Sequence, residues 1–390
     1  MSESKRKRDP TDLTLVEHHA EMMSACSSGD EHTILSLLQN ATTSDPSGLT
    51  RRMLATQQDP TTGQSPLMVA SIGGHVNIIK TLLEEGAPWN ALDRFNKCAG
   101  NYATEKEHWD IVNLLVEHGT RSELVLGASI RLERQMNNSG ANTQMETDNV
   151  STHVSHQPCT KPDYNSQTNV RYDAANTLLL DDDNDAVMME WERPLMEAHA
   201  SFLAGNAISG DNTIKDCKKR VLNVGFGLGI VDTAIQTYNP SLHVIIEAHP
   251  TVYKKMIEDG WDKKSNVRIC FGRWQDELPK LIAEGVVFDG IFYDTYGEHF
   301  TDLEDFHELM ATSLVKPGGV YSFFNGLAPD NLFFHGVACN CIQSQLSHLG
   351  MDAEFLPCQI QVDEKVWDGV RRKYWHGRDT YYLPVVTWKK

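Results

Sequence analysis

The run Val221-Leu222-Asn223-Val224-Gly225-Phe226-Gly227-Leu228-Gly229-Ile230 restricts the fold of this chain more than any other stretch. An apolar strand candidate meets three alternating glycines, and an amphipathic segment begins directly after them. Such glycines let the backbone turn tightly and approach a ligand closely. In a doubly wound sheet a turn of this kind opens into the crevice at the carboxyl ends of the strands. The flanking pattern agrees. Short apolar runs at 242–246, 267–270, 288–293 and 319–323 read as further strands, and 230–237, 250–258 and 303–314 read as helices between them. That alternation predicts an α/β domain, an open, mostly parallel, doubly wound sheet with helices on both faces. Runs at 358–362 and 381–388 are expected to add the last strands at one edge.

The N-terminal part follows a different period. Gly63-Gln64-Ser65-Pro66-Leu67-Met68-Val69-Ala70 opens a segment that continues through Gly74-His75 and Ile78-Ile79 to Leu82-Leu83 and Gly86. At a shift of about 33 residues, His75 falls on His108, Ile78-Ile79 on Ile111-Val112, Leu82-Leu83 on Leu115-Val116 and Gly86 on Gly119. The period and the Ser-Pro-Leu-Met-Val-Ala opening resemble ankyrin repeats, although the second copy lacks the proline. Met22-Met23-Ser24-Ala25-Cys26, Gly29-Asp30 and Thr33-Ile34-Leu35-Ser36-Leu37-Leu38 supply a third, capping copy, followed by an insertion around 42–47. Each helix pair hides its apolar face only by stacking, so about three units are the minimum for stability. Such an array serves as a partner-binding platform or as a stabilising appendage. Residues 121–134 read as a short closing helix, and 137–169 are rich in Asn, Ser, Thr, Gln and His with almost no apolar periodicity. The expected organisation is a flexible N-terminus (1–20), a small all-α ankyrin-repeat-like domain (21–136), a flexible linker (137–170) and the α/β domain (171–390).

Composition narrows the partners. The formal net charge is −18, and 40% of the residues are apolar, enough to bury a real core. An acidic chain is a poor non-specific nucleic-acid binder but attracts a basic protein. Single, scattered cysteines without a CxxC pair argue against a zinc site or a disulfide framework and fit a reducing compartment. No secretory leader and no apolar run approaching the roughly 20 residues of a membrane span are visible. The expected location is cytoplasmic and nuclear. Lys5-Arg6-Lys7-Arg8 reads equally well as a nuclear address or as a solvated tail.

The glycine turn also says something about its ligand. The dinucleotide fingerprint is G-x-G-x-x-G/A, and Ile230 stands at its last position, which disfavours close pyrophosphate packing. The spacing G-x-G-x-G suits a nucleoside without a diphosphate. The next strand ends in Ile245-Ile246-Glu247, where a carboxylate can accept both ribose hydroxyls. Two more carboxylates stand out. Asp294 follows the strand Phe288-Asp289-Gly290-Ile291-Phe292-Tyr293, so it lies at the crevice, and Glu192 precedes the sheet in Trp191-Glu192-Arg193-Pro194. Two acids converging on one pocket fit a guanidinium, whose planar N–H fork pairs bidentately with carboxylates. By sequence alone, Glu192 fits a surface helix residue slightly better.

These residues carry a likeness. Tyr172-Asp173-Ala174-Ala175, Val187-Met188, Trp191-Glu192-Arg193-Pro194-Leu195-Met196, Val224-Gly225-Phe226-Gly227, Glu247, Gly272-Arg273-Trp274, Tyr293-Asp294-Thr295-Tyr296 and Lys316-Pro317-Gly318-Gly319 resemble guanidinoacetate methyltransferase in order and spacing from about residue 171 to 388. With ankyrin-like repeats in front, the chain resembles the fungal protein arginine N5-methyltransferases, type IV enzymes that modify the δ-nitrogen. The resemblance implies a class I (Rossmann-like) methyltransferase fold, S-adenosyl-L-methionine as cofactor, no metal, and a basic protein with an accessible arginine as substrate. It implies that Tyr172 and Met188 line the cofactor pocket and that Gly225, Phe226, Gly227, Leu228, Gly229 and Ile230 wrap the methionine and ribose. Glu247 would hold the ribose, with Ala248 and His249 beside it, and Trp274 and Gln275 would flank the adenine. Glu192 and Asp294 would grip the guanidinium, Asp294 also touching the cofactor. Three positions depart from the pattern. Asn223 stands where many methyltransferases carry an acid, Arg193 where guanidinoacetate methyltransferase has Thr, and Leu195 where it has Tyr. Alternatives are a small-molecule guanidino methyltransferase and a binding scaffold with a dead methyltransferase fold.

Overall fold

A computed structural model of the chain describes residues 10–139, 169–205, 219–296, 300–375 and 379–390. The basic cluster at 5–8 and most of the expected linker lie outside the described residues. The chain divides into two compact units. The first runs up to Ser139 and includes Asn331–Cys341; the second comprises Gly140–Asp330 and Ile342–Lys390. No helix among the described residues is long and apolar enough to cross a membrane.

The first unit is helical: α1 (Pro10–Ser28), α2 (Glu31–Ser44), α3 (Leu49–Thr56), α4 (Pro66–Gly73), α5 (Val76–Glu84), α6 (Ala99–Glu105) and α7 (Trp109–Ser139). Its repeat is visible in atomic detail. His75 Nε2 lies 3.3 Å from Ser27 O, and His108 Nε2 lies 3.3 Å from Ile72 O, one repeat further on. Each imidazole ties its own turn to the preceding one. Ile78, Ile79, Leu82 and Leu83 are buried on α5, and Ile111 and Leu115 on α7, which is the stacked apolar face that the period predicts. These are ankyrin repeats.

Three expectations change here. Helix α1 begins at Pro10, inside the stretch read as flexible, because His19, Met22, Ala25 and Cys26 form a buried face and His19 Nε2 bonds Gln57 O at 2.9 Å. The short closing helix at 121–134 is the second half of the 31-residue α7, which no proline interrupts. Residues 331–341 were expected in the α/β domain but belong to the first unit. Phe333 and Phe334 set their rings 6.1 and 5.7 Å from Trp89, and Asn331 exchanges side-chain hydrogen bonds with Asn101. An apolar aromatic pair seeks burial wherever an apolar surface is offered.

The second unit holds two sheets. Strands β1 (Val170–Tyr172), β2 (Leu178–Asp181) and β3 (Ala186–Met189) form a small antiparallel sheet that the sequence pattern did not reveal. The large sheet is formed by β4 (Arg220–Val224), β5 (Leu242–Glu247), β6 (Val267–Phe271), β7 (Gly290–Tyr293), β8 (Val320–Phe323), β9 (Met351–Gln359) and β10 (Thr380–Trp388), in the order β6-β5-β4-β7-β8-β10-β9. Strands β4 to β8 pair in parallel, and β10 is antiparallel to β8 and β9. Helices α8 (Arg193–Ala204), α9 (Ile230–Gln236), α10 (Pro250–Glu258), α11 (Trp274–Ala283), α12 (Phe300–Ser313) and α13 (Leu332–His348) complete the described helices. This is a Rossmann-like α/β fold. The late strand expected at 358–362 instead runs from Met351 to Gln359, because residues 351–354 alternate buried and exposed in register with β10. The chain passes from β4 outward to β5 and β6, then returns to place β7 on the other side of β4. That reversal is the topological switch point, where doubly wound sheets leave a crevice.

Candidate active site

The crevice encloses about 970 Å³ when its open mouth is included. Its floor is the carboxyl ends of β4, β5 and β7: Val224, Gly225, Phe226 and Gly227 after β4, Ile246 to His249 from β5, and Asp294, Thr295 and Tyr296 after β7. Gly272, Arg273 and Trp274 contribute from the end of β6, Val252 from α10, and Val170, Leu179, Val187 and Met188 from the small sheet.

Two glycines are required by this geometry. Gly225 has φ 92°, and a Cβ there would lie 1.9 Å from the carbonyl oxygen of Asp294; at Gly227, φ 54°, it would lie 2.6 Å from Met188 Sδ. Any side chain at 225 would push β7 away from β4 and fill the cradle.

Beneath the turn lies a buried polar relay. Asn223 Nδ2 donates to Gly225 O at 2.8 Å and to both Asp232 carboxylate oxygens at 2.9 Å. Gln236 Nε2 donates to His243 Nδ1 at 2.9 Å, and His243 Nε2 lies 3.1 Å from Asp232 Oδ1 without making a hydrogen bond to it. Asn223, Asp232 and His243 are all fully buried. The acid missing from position 223 is therefore present at Asp232, in the first turn of α9. The asparagine amide bridges it to the turn.

Glu247 is 7% exposed. Its Oε2 accepts from Phe226 N–H at 2.9 Å and its Oε1 from His249 N–H at 2.6 Å. Burial raises its pKa, while the N–H groups of His249, Phe226, Ala248 and Gly227 oppose the rise. Tyr172 does not line the cavity; its hydroxyl donates to Gly227 O at 3.0 Å and so braces the turn from behind. Met188 does line it, and Met188 Sδ accepts from Leu228 N–H at 3.2 Å. Leu228, Gly229 and Ile230 carry the turn into α9 and are not in the lining; Ile230 is buried in the core instead. Trp274 is in the lining and 4% exposed, braced edge-on by Phe306 at 5.2 Å, whereas its neighbour Gln275 is not in the lining.

Asp294 lies in the cavity wall, and its carboxyl is pushed up to about 7 by burial. Glu192 ends the short turn Glu190–Glu192 ahead of α8, 3% exposed and outside the lining itself. Burial and, second, the Asp294 charge push its carboxyl up to about 8. The Asp294 charge bears on Glu192, and neither carboxylate is paired with a cation among the described residues. Arg193 does not serve as one, because Glu190 holds its guanidinium at 3.0 Å. Leu195 is 2% exposed in a core cluster with Trp367 and Trp375.

Sequence reasoning missed several of these residues. Val170 and Leu179 lie on strands too short to show a pattern, and Val187 was quoted only as likeness. Thr295 and Tyr296 were quoted only as likeness, yet both line the cavity, and Tyr296 bonds Asp181 Oδ2 at 3.0 Å. Tyr374 donates a hydrogen bond to Glu192 from 182 residues away, which no local signal could show.

Comparison with known proteins adds an independent line. The family model described as guanidinoacetate N-methyltransferase matches residues 154–352, about half of the chain, and a three-copy ankyrin-repeat model matches 22–124. The protein arginine N-methyltransferase 2 of Yarrowia lipolytica is 43% identical over 222 residues, covering 55% of this chain and 45% of the relative. Those of Candida glabrata and Emericella nidulans are each 34% identical, over 80% and 81% of this chain and 78% of each relative.

Proposed function

Since this chain belongs to the guanidinoacetate N-methyltransferase family, as an ankyrin-bearing member alongside the protein arginine N-methyltransferase 2 proteins, we propose that it methylates arginine residues of proteins on the δ-nitrogen, with S-adenosyl-L-methionine as methyl donor. The observation that carries the acceptor is the pair Asp294 and Glu192. Buried Glu192 and half-buried Asp294 cannot both stay ionised cheaply. A guanidinium between them would relieve that cost and donate its N–H groups to both carboxylates. The net charge of −18 favours a basic protein as its bearer.

The cavity fits the donor. Gly225 and Gly227 bring the bare backbone of the turn to the cavity, Glu247 is a carboxylate facing the space where a ribose would lie, and Trp274 offers an aromatic wall. Tyr172, Met188, Gly225, Phe226, Gly227, Glu247, Ala248, His249 and Trp274 would hold it or brace those that do. Leu228, Gly229 and Ile230 would act by shaping the turn, and Gln275 by supporting Trp274.

When bound, S-adenosyl-L-methionine supplies a methyl group made electrophilic by its sulfonium sulfur. The residues of the chain do the rest. Asp294 and Glu192 orient the guanidinium, draw its positive charge away from the attacked nitrogen and accept the proton that leaves it. In guanidinoacetate the methylated nitrogen is the one bearing the carbon chain, and the matching atom of a peptidyl arginine is the δ-nitrogen.

The test is direct. The protein is incubated with methyl-labelled S-adenosyl-L-methionine and a cell extract, and the labelled proteins are hydrolysed to amino acids. N5-methylarginine is expected. Label confined to small molecules would replace the protein acceptor by a small guanidine, and no label at all would leave a binding scaffold.

A further inference from the structure

The carboxyl of Glu192 is held asymmetrically. Its Oε1 accepts two hydrogen bonds, from Met189 N–H at 3.1 Å and from the hydroxyl of Tyr374. Its Oε2 accepts none among the described residues. Tyr374 lies in the connection between β9 and β10, beyond the residues matched by the guanidinoacetate methyltransferase model. Its ring is clamped by aromatic neighbours, with Trp191 at 5.8 Å and Trp367 edge-on at 5.0 Å, and Trp191 also meets Trp375 at 6.0 Å. A phenol fixed by its ring has little freedom to choose another acceptor. Two donors on one oxygen also fix the rotation of the carboxyl.

Resting on the reading of Glu192 as half of the guanidinium grip, we propose that Tyr374 is a positioning residue: it locks Glu192 Oε1 and turns Oε2 alone toward the substrate, so that Glu192 engages the guanidinium through one oxygen. The two acids then divide the labour. Asp294, whose carboxylate accepts no hydrogen bond among the described residues, has both oxygens available for the substrate. Glu192 contributes one oxygen at a fixed angle.

The arrangement has an electrostatic signature. The groups that bear on Glu192 come from three elements: Asp294 after β7, Tyr374 from the β9–β10 connection and Tyr381 on β10. On its own turn, Glu190 is tied to Arg193. Asp294 raises the pKa of Glu192, whereas the Tyr374 hydroxyl and the Met189 N–H lower it. Removing the hydroxyl while keeping the ring therefore raises it further.

The experiment compares wild type with Tyr374→Phe, measuring kcat/KM for methyl transfer to an arginine-containing basic peptide from pH 6 to 10 and thermal unfolding in parallel. The acid limb of the profile is expected to move up by about one pH unit, giving about a tenfold loss near pH 7 that recovers at high pH. The melting temperature should change little, because the ring stays in its aromatic clamp. An unmoved limb overturns the proposal, whether the rate is unchanged or uniformly lowered, since mere packing of the connection would scale the rate at every pH. If wild type itself transfers no methyl group to arginine at any pH, the reading of the acceptor falls and this role falls with it. If wild type is active and the limbs coincide, only the role of Tyr374 falls.

Discussion

Glu247, Asp294 and Glu192 are three carboxylates at or just behind the same crevice, Glu247 and Glu192 buried and Asp294 half-buried, yet they are dressed in opposite ways. Both oxygens of Glu247 receive backbone N–H groups, from Phe226 and His249. Asp294 receives no hydrogen bond among the described residues, and Glu192 receives two on one oxygen. A carboxylate bonded to backbone donors can keep its charge in a dry place and has lone pairs left for neutral hydroxyls. Without a cation beside them, both acids are pushed up by burial, Asp294 to about 7 and Glu192, which the Asp294 charge raises further, to about 8. The first arrangement is built for a neutral ligand group, the second for a cation. Substitutions can break that contrast or sharpen it.

The largest effect is expected at Asp294. Asp294→Asn keeps the shape and removes the charge, so turnover should fall by about 10²–10⁴-fold, while the affinity for S-adenosylhomocysteine, read by calorimetry, stays within about threefold. Turnover within about twofold of wild type would erase the distinction between the two ends of the cavity.

Next comes Asn223→Asp, which places the acid common among methyltransferases back in its usual position. Here that carboxylate would face both oxygens of Asp232 and the carbonyl of Gly225, replacing three donor contacts by repulsion. A loss of about 3 kcal/mol in urea unfolding is expected. Unchanged stability would show that the relay beneath the turn is not held by the amide.

Glu247→Gln should have a smaller and opposite effect to Asp294→Asn. Its backbone donors would face an amide that can satisfy only one of them. Donor affinity is expected to weaken by about 10–100-fold, with kcat at saturating donor changed only a few-fold. A selective loss of kcat would mean that Glu247 belongs with the acceptor pair.

The contrast also explains what could be read before any coordinates. The glycine turn, Glu247 and Asp294 sit at the ends of strands with strong apolar patterns, so their place in the crevice follows from the local sequence and the switch-point rule. Helix α10 (Pro250–Glu258) begins and ends where its pattern says. Tyr374 and Asp232 were illegible, because their meaning depends on a partner brought close by the fold. The strands β1 to β3 are three or four residues long, too short for alternation to be counted. Phe333 and Phe334 look like ordinary core residues of an α/β domain; only packing assigns them to the helical unit. Local periodicity is legible, and long-range pairing is not.

The smallest effect tests the pair through stability. Glu192 has its pKa raised from the ordinary value of 4.5 to about 8 in the folded chain. A raised carboxyl favours folding while it is protonated, and this contribution is lost as the pH climbs from the unfolded value through the folded one. At alkaline pH the folded chain must therefore carry a buried charge that the unfolded chain hydrates freely. Glu192→Gln removes that burden and keeps an oxygen for Tyr374 and Met189. Its melting temperature, measured without ligand, should exceed that of wild type by a few degrees above about pH 8, and the gain should shrink toward zero near about pH 5. The same variant should lose turnover. A gain independent of pH would point to packing rather than charge, and no gain would mean that a partner already neutralises Glu192 in the free protein.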